Sequence, residues 1–490
     1  MSGRLIVGLL TSAAAAGCTV GPDYRTPDVP LPRAYVESPR QLEPAPLPST
    51  GAWWTIFDDS TVNGLVREAL KSAPGVAIAT ARVRQARALS DLTRANAYPS
   101  ARVGSEYARS RGSDNLPIGV PPGGLGPGVS SDLYQVGFDA LWEVDLFGGQ
   151  KRATESANAT LHAAEFKRAD VALTLTAEVV RTYMEVRGAQ RRIAVAEENL
   201  VVERDSAALA KAQFDAGLAS NLAVFRANAE LADTQSTIPA LKQIERANIY
   251  RLGVLIGRAP EDLRVALDSA APIPVKVVDV PAGLPSELLE RRPDIRFAEQ
   301  SVAAANARIG VATAELYPHF YLTGIAGLES LESSNFLTAS SRYFSVGPNL
   351  SWTIFDAGRV RFQIQAAQAM TEESRAVYEK TVLTALAEVE TAFSAYAREQ
   401  QRHIELEKEV AFESQSVDLS RRLYRQGIND FLAVLDAQRS LLSSEDRLAQ
   451  SDEASAVALI AVYKALGGGW NAANTQAGAI YSESESRMGP

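Results

Sequence analysis

Two stretches of the chain alternate apolar and polar residues with a period of two, and each is followed by a segment that favours one very long helix. The stretches are residues 133–147 and 343–355. Such alternation predicts β-strands with one apolar and one polar face, as in a barrel that separates lipid from water. The sequence thus indicates an α+β membrane protein, with a barrel in a bilayer carried on a helical conduit. The apolar residues of the second stretch are Phe344, Val346, Pro348, Leu350, Trp352 and Ile354.

Proline and glycine are nearly absent from the segments that follow these strands. Residues 359–426 contain neither, and residues 150–216 contain only Gly188. Each segment can form one helix roughly 100 Å long, at about 1.5 Å per residue. Helices of this length predict coiled-coil packing, and their many charged residues exclude them from hydrocarbon.

The two halves of the chain repeat one another. Trp142 matches Trp352 and Gly217 matches Gly427, both at an offset of 210. The shared order indicates an internal duplication of a unit with two strands, a very long helix and a returning helix. The predicted divisions are a signal peptide over 1–17, a lipidated extended arm over 18–51, a first repeat over 52–257, a linker over 258–283, a second repeat over 284–470 and a mobile tail over 471–490.

Within each repeat the predicted elements follow from turn residues and periodicity. The first repeat is assigned helix 74–97, strands 99–111 and 133–147, and helices 150–216 and 221–256. The second repeat is assigned helix 293–316, strands 319–330 and 343–355, and helices 359–426 and 431–466.

Composition and charge exclude several classes of function. The net charge of −9 disfavours nucleic acid as a partner. The three histidines, His162, His319 and His403, lie in different segments without metal-ligand spacing, and no nucleotide-binding or nucleophile motif is present. We therefore predict no catalytic residues, no bound metal and no cofactor other than a covalent lipid.

The start of the chain predicts export and a lipid anchor. An apolar stretch follows Arg4 and ends in Ala-Ala-Gly-Cys18, which resembles a bacterial lipobox. Cys18 is the only cysteine, so no intrachain disulfide is possible, and we expect it to carry the lipid. Acyl chains there would tether the protein to a membrane without spanning it. A plain signal peptide with an incidental cysteine is the alternative.

Four strands per chain demand partner subunits. An open four-stranded sheet in lipid leaves two edges whose unsatisfied backbone groups cost several kcal/mol each. Two chains would supply eight strands, which side chains fill, whereas three chains would supply twelve and leave an open bore. A transport function therefore favours a homotrimer.

Short motifs occur in one order along residues 18–470. They are Cys18–Tyr24 (CTVGPDY), Trp53-Trp54, Leu284–Ile295 (LPSELLERRPDI), Asn306-Ala307, Ile309–Ala312 (IGVA), Tyr317-Pro318, Phe355–Arg359 (FDAGR), Leu435–Ser440 (LDAQRS) and Tyr463–Trp470 (YKALGGGW). In this order the chain resembles the TolC-like outer-membrane factors of Gram-negative tripartite efflux pumps, in the lipoprotein branch that includes OprM and the NodT-type proteins.

The resemblance implies a trimer in the outer membrane, with a twelve-stranded barrel in lipid and a twelve-helix tunnel in the periplasm. The helix tips would meet a periplasmic adaptor, the membrane fusion protein, which joins the channel to an inner-membrane RND pump. The expected function is passive conduction of drugs or other small molecules to the outside, gated at the tips.

The resemblance also places the periplasmic gate just beyond the second tip. Leu432, Asp436 and Arg439 lie at i, i+4 and i+7, so they share one helix face. The first repeat has Arg226 where the second has Asp436, and we expect these two residues to pair in the closed state. A solvated helix face with a local Asp–Arg pair is the plainer interpretation.

The helix tips and two tryptophans complete the candidate sites. The adaptor-contact candidates are Phe214, Asp215, Gly217, Tyr424, Arg425 and Gly427, although a plain turn explains the same residues. Trp142 and Trp352 are candidates for an interfacial aromatic belt, with ordinary sheet packing as the alternative.

Two other functions remain open from the sequence. One is an outer-membrane duct for type I protein secretion, which shares the architecture. The other is a lipid-anchored periplasmic coiled-coil scaffold without a pore, which the strands at 133–147 and 343–355 disfavour.

Overall fold

The computed structural model describes residues 19–37, 52–115, 126–274, 280 and 283–468. The signal peptide, Cys18 and the tail 471–490 lie outside the described residues, as do parts of the arm and linker. Contacts group the chain into two units. The first contains Met1–Pro27, Arg84–Ala163 and Ala298–Val377, and the second contains Asp28–Val83, Ala164–Phe297 and Tyr378–Pro490.

Across the described ranges the elements follow the predicted order. The α-helices are α1 Ser60–Ser72, α2 Pro74–Ala95, α3 Gly149–Asp215, α4 Asn221–Ile256, α5 Arg264–Leu267, α6 Glu287–Arg291, α7 Pro293–Ala314, α8 Arg359–Arg425 and α9 Phe431–Ala465. The strands are β1 Ser100–Arg111, β2 Ser130–Val144, β3 His319–Ser330 and β4 Arg342–Ser351. Short 3₁₀ helices cover Trp53–Phe57, Pro260–Leu263 and Ala339–Ser341.

The four strands form one antiparallel sheet in the order β1-β2-β3-β4. The β3–β4 register runs unbroken through the Leu322–Pro348 pair, so Pro348 lies on an edge strand and not in a bulge. Proline is tolerated on such a strand because alternate N–H positions of an edge strand point away from its only neighbour in the chain and need not donate to it. The edges of the sheet are β1 and β4, which are the strands that need a partner chain.

One face of the sheet is apolar and uncovered within a single chain. Phe138 is 65% exposed, Phe344 is 83% exposed and Val346 is 72% exposed. Apolar surface left in water costs roughly 25 cal/mol per Å², whereas hydrocarbon accepts it. The alternation predicted from the sequence is therefore present in β2 and β4, with the apolar face placed to meet lipid.

Two strands end earlier than predicted. β2 ends at Val144 and not at 147, and β4 ends at Ser351 and not at 355. The reason is the start of the following helix, because Asp145 accepts a hydrogen bond from the Lys151 N–H at 2.8 Å. Asp356 likewise accepts hydrogen bonds from two backbone N–H groups at the start of α8, at 2.8 Å each. These bonds hold the pKa of its carboxyl below the usual range. Ile354 therefore lies outside the sheet.

The long helices begin and end within one residue of the predicted bounds. α3 and α8 contain 67 residues each. α3 continues through Gly188, whose missing side chain leaves room for the Glu453 carboxylate of α9. Within the described ranges, no helix combines the length and the apolar character needed to cross a bilayer.

The two helix hairpins close with the same backbone geometry. Gly217 and Gly427 both have φ of 72°, the left-handed conformation that glycine adopts without strain. Ser220 caps α4 by accepting from the Leu222 N–H, and Asp430 caps α9 by accepting from the Ala433 N–H. Both predicted turns and both predicted caps are confirmed.

The described part of the arm is fastened in the first unit by one buried arginine. The Arg152 side chain is only 5% exposed. Its Nε donates to the Val20 carbonyl at 3.0 Å, and its Nη2 donates to Asp23 Oδ1 at 2.8 Å. The guanidinium lowers the pKa of the Asp23 carboxyl through this hydrogen bond. A buried charge needs such partners, so the arm and Arg152 stabilise each other.

Two motifs that are far apart in the sequence meet at this point. Gly21 has φ of 85°, and a Cβ on it would overlap the backbone of Gly310 in α7. Asn306 of the same helix donates to the Pro22 carbonyl at 3.0 Å. The arm motif and the Ile-Gly-Val-Ala motif are therefore two sides of a single docking contact.

We expect Gly21→Ala to release the arm. The methyl group meets backbone rather than a movable side chain, and the residue must keep a positive φ, so the cost is about 1–3 kcal/mol. Limited proteolysis of residues 19–27 in the folded protein, together with thermal melting, measures the effect. Gly64→Ala is the control, because nothing lies within 4 Å of its Cβ position in α1, and it should stabilise by about 0.5–1 kcal/mol. Unchanged protection in Gly21→Ala would contradict the docking contact.

Candidate functional site

The helix tips of the second unit have an apolar core of their own. The core joins both hairpins and consists of Ala210, Ala227, Tyr424, Phe431, Val434 and Leu435. The Tyr424 and Phe431 ring centroids are 5.2 Å apart. Tyr424, one of the adaptor-contact candidates, is buried in this core, and its hydroxyl has no hydrogen-bond partner among the described residues. Its role as an adaptor contact stays a prediction.

A pocket of about 650 Å³ opens between the two tips. Leu218 and Leu222 from the first hairpin line it, together with Arg425 and Leu432 from the second. Leu218 is 79% exposed, which is unusual for so large an apolar side chain. The other adaptor-contact candidates Phe214, Asp215, Gly217 and Gly427 are also exposed at the tips.

The gate candidates Leu432 and Asp436 are both exposed on α9, one helical turn apart. The residues between them on the same helix, Val434 and Leu435, are buried in the tip core. Arg226 is exposed on α4 and lines the tip pocket. Within the described part of one chain, no ion pair joins Arg226 to Asp436, so the expected partnership is not present there.

Arg439 instead pairs with Glu230 of α4. Both Nε and Nη2 of the guanidinium approach Glu230 Oε2, and the Glu230 side chain is only 5% exposed. This carboxylate raises the pKa of Arg439. Sequence reasoning missed Glu230, because a single glutamate on a long polar helix carries no signal of its own. The pair fastens α9 to α4 next to the gate candidates.

A second buried carboxylate lies close to this pair. Glu203 of α3 accepts a hydrogen bond from the Thr234 hydroxyl at 2.9 Å, and its other oxygen is buried without a partner among the described residues. The pKa of Glu203 is raised to about 7, chiefly by burial; the Thr234 hydrogen bond opposes this shift, and the nearby Glu230 and Asp233 carboxylates add to it. The contact between α3 and α4 therefore contains a group that gains or loses a proton near neutral pH.

The two tryptophans make matching contacts in the first unit. The Trp142 indole donates to the Ala97 carbonyl at 2.9 Å, and the Trp352 indole donates to the Leu316 carbonyl at 3.2 Å. Each bond ties the end of a strand, or the residue just after it, to the end of a short helix. Packing therefore accounts for both tryptophans, and a role in an aromatic belt stays a prediction.

Comparison with known proteins identifies the family. Residues 65–258 and 284–468 match the family model described as outer membrane efflux protein. The pyoverdine export outer membrane protein OpmQ of Pseudomonas aeruginosa is 33% identical, over 85% of this chain and 87% of its own length. The cation efflux system protein CusC of Escherichia coli is 30% identical, over 96% of this chain and 100% of its own.

A solved structure agrees with this match. The outer-membrane channel OprN is 38% identical and superposes with a TM-score of 0.86, over 92% of this chain and 100% of its own. The chain belongs to the outer membrane efflux protein family. It has the TolC-like fold of a trimeric channel, in which three chains of four strands close one barrel. It is an outer-membrane exit duct of the tripartite efflux class and not an enzyme.

Tip stability should fall as pH rises, because of Glu203. Its pKa of about 7 in the folded chain lies above its ordinary value of 4.5. The stabilisation is therefore complete below pH 4.5 and is lost as pH rises from there through about 7, by about 3 kcal/mol in total. Hydrogen exchange of residues 203–234 at several pH values measures it.

Glu203→Gln should reduce this pH dependence, since the amide stays neutral. Glu405→Gln is the matched control on α8, where the carboxylate is 73% exposed. An equal pH dependence in Glu203→Gln and the parent protein would show that Glu203 does not carry the effect.

Proposed function

We propose that this protein is a passive duct whose resting state is closed by Leu432 and Asp436 at the periplasmic tips. The observation that carries the proposal is the exposure of both residues on one face of α9, directly in front of the buried tip core. Threefold symmetry would turn them into a ring of leucines and a ring of carboxylates. Such rings narrow a bore, and the carboxylates favour cations over anions.

The asymmetry of the duplication supports this assignment. Asp436 comes from the second repeat, and the matching position of the first repeat is Arg226. Arg226 has no carboxylate partner among the described residues of its own chain, and it lines the pocket beside Leu432. We infer that Arg226 meets Asp436 of a neighbouring subunit when the tips are closed.

The Arg439–Glu230 pair acts in this proposal as the latch behind the gate. The pair links α9, which bears the gate residues, to α4 of the first hairpin. Opening requires α9 to move relative to α4, so this bond must lengthen or break. Glu230 is nearly inaccessible, and leaving a buried charge without its partner is costly. The latch therefore biases the tips toward the closed state.

The exposed part of the tip pocket is the proposed adaptor surface. Leu218 and Arg425 line the pocket and are accessible, and Phe214 is exposed at the same tip. An apolar rim with a few charges suits a protein partner. Tyr424 is part of the buried tip core next to this surface. We propose that a periplasmic adaptor docks here and joins the duct to an inner-membrane RND pump.

Lipidation of Cys18 completes the proposal. The arm that follows it is held by Arg152 at residues 20–23, so an acyl chain on Cys18 would start from a fixed place on the first unit. The cargo is proposed to be small molecules, in line with the relatives whose names refer to pyoverdine and cations. No contact in the structure favours a protein-secretion duct over this function.

Asp436→Ala should raise the single-channel conductance in planar bilayers by about twofold or more, because the narrowest ring loses both bulk and charge. Cells that carry the variant should become more sensitive to large antibiotics. Asp215→Ala is the control in the bilayer measurement, since this exposed tip carboxylate pairs with Lys211 of its own helix at 3.1 Å. A conductance equal to that of the parent protein would place the gate elsewhere.

Glu230→Gln should weaken the latch and loosen the tips by about 1–3 kcal/mol, because the Arg439 guanidinium loses its charged acceptor. Faster hydrogen exchange at residues 431–439 and more frequent opening events measure the change. Lys211→Gln removes an exposed ion pair at the same tip and should change stability by less than about 0.5 kcal/mol. If both variants behave alike, the latch has no special role.

A further inference from the structure

Both edges of the sheet carry arginine at the end remote from the helices. Arg109 and Arg111 are near the end of β1, and Arg342 is the first residue of β4. All three belong to the apolar face by the period-of-two alternation, since Arg109 and Arg111 follow Tyr107 and Arg342 precedes Phe344. Arginine is costly on a face that meets hydrocarbon, except near the membrane surface.

Closure of the barrel brings these arginines together. In a ring of identical chains, β4 of one chain pairs with β1 of the next, and antiparallel alternation continues around the barrel. We require that all ten residues of β4 pair with residues among the twelve of β1, and that the apolar faces of the two strands lie on the same side of the sheet. Only two registers meet both conditions. Ser351 then lies opposite Ser100 or Arg102. Arg342 accordingly lies opposite Arg109 in the first register or Arg111 in the second.

The charges at the seam, where β4 of one chain pairs with β1 of the next, do not cancel. Arg109 has Asp132 at 3.8 Å and Arg111 has Asp114 at 3.3 Å, with arginine side chains 70% and 65% exposed. Such exposed pairs are weak. Asp132 is also held by the Tyr107 hydroxyl at 3.1 Å.

Arg342 brings a third guanidinium to the seam, and no ion pair involving it is found in the described part of the chain. Each seam thus has three cations and two carboxylates. Like charges directly opposite destabilise a sheet unless an anion lies between them.

We propose that each seam of the trimer binds a phosphate group of an outer-leaflet glycolipid of the lipid A class. The site consists of Arg109 and Arg111 of one subunit and Arg342 of the next. Guanidinium forks bind phosphate through paired charge-assisted hydrogen bonds. The face on which the arginines lie meets lipid, and the strand ends on which they lie are at the hairpin end of the sheet, which is the outer rim in this family. The proposal rests on the trimeric closure of the proposed duct.

Cysteine cross-linking tests the seam by itself. Arg342→Cys combined with Arg109→Cys or with Arg111→Cys should give a disulfide-linked trimer under mild oxidation, whereas each single substitution should not. Arg342→Cys with Arg102→Cys, on the luminal face of β1, is the negative control. A cross-link in the control pair only would overturn the register and with it the proposed site.

Lipid binding tests the site. Delipidated trimer is mixed with bisphosphorylated lipid A, with dephosphorylated lipid A or with phosphatidylethanolamine, and retained lipid is counted by native mass spectrometry. We expect bisphosphorylated lipid A to bind preferentially, and the Arg342→Gln variant to bind it about tenfold more weakly. Arg102→Gln is the matched control, because this arginine is on the luminal face and pairs with Asp139 at 3.5 Å.

The possible results distinguish failure of the phosphate site from failure of the proposed channel function. Equal retention of phosphorylated and dephosphorylated lipid A, or unchanged affinity in Arg342→Gln, would overturn the phosphate site while conductance of the same trimers upholds the duct. Loss of both the trimer and the conductance in the parent protein would instead overturn the proposed function. Selective retention that depends on Arg342 and not on Arg102 supports the proposal.

Discussion

Backbone hydrogen bonding at the sheet edges is the constraint on which the rest of this structure depends. β1 and β4 each have one side without a neighbour within the chain. Hydrocarbon offers no water to satisfy these groups, and each would cost several kcal/mol. Closure with other copies is the remedy, so the membrane segment requires an oligomer, and three chains leave an open bore. In the proposed site the same closure brings the arginines of neighbouring chains together.

The two repeats share one architecture and differ at the helix tips. The turns at Gly217 and Gly427 share one geometry, and the tryptophan contacts to the short helices match in both halves. At the tips the copies diverge, since Arg226 stands where the other repeat has Asp436. In the proposed gate, a ring of carboxylates alone is possible only because the two repeats differ at this position.

Polar groups are buried where the long helices of the second unit contact one another. Glu203 faces Thr234, Glu230 holds Arg439, and Glu453 approaches α3 at Gly188. Burial raises the pKa of Glu453 to about 7, as it does for Glu203. In the proposed gate, the Arg439–Glu230 bond is the one of these contacts that must lengthen or break when α9 moves relative to α4.

The sequence by itself determined the strands, the long helices, the glycine turns and their caps, because period-two alternation and the absence of proline act through neighbouring residues. It also placed Leu432 and Asp436 on one face. Only the tertiary structure decided that Tyr424 is buried, that Asp145 and Asp356 shorten β2 and β4, and that Arg439 pairs with Glu230. Glu230 is 209 positions away from Arg439 in the chain. Such a pairing depends on which helices pack together, and patterns among neighbouring residues in the sequence do not determine that packing.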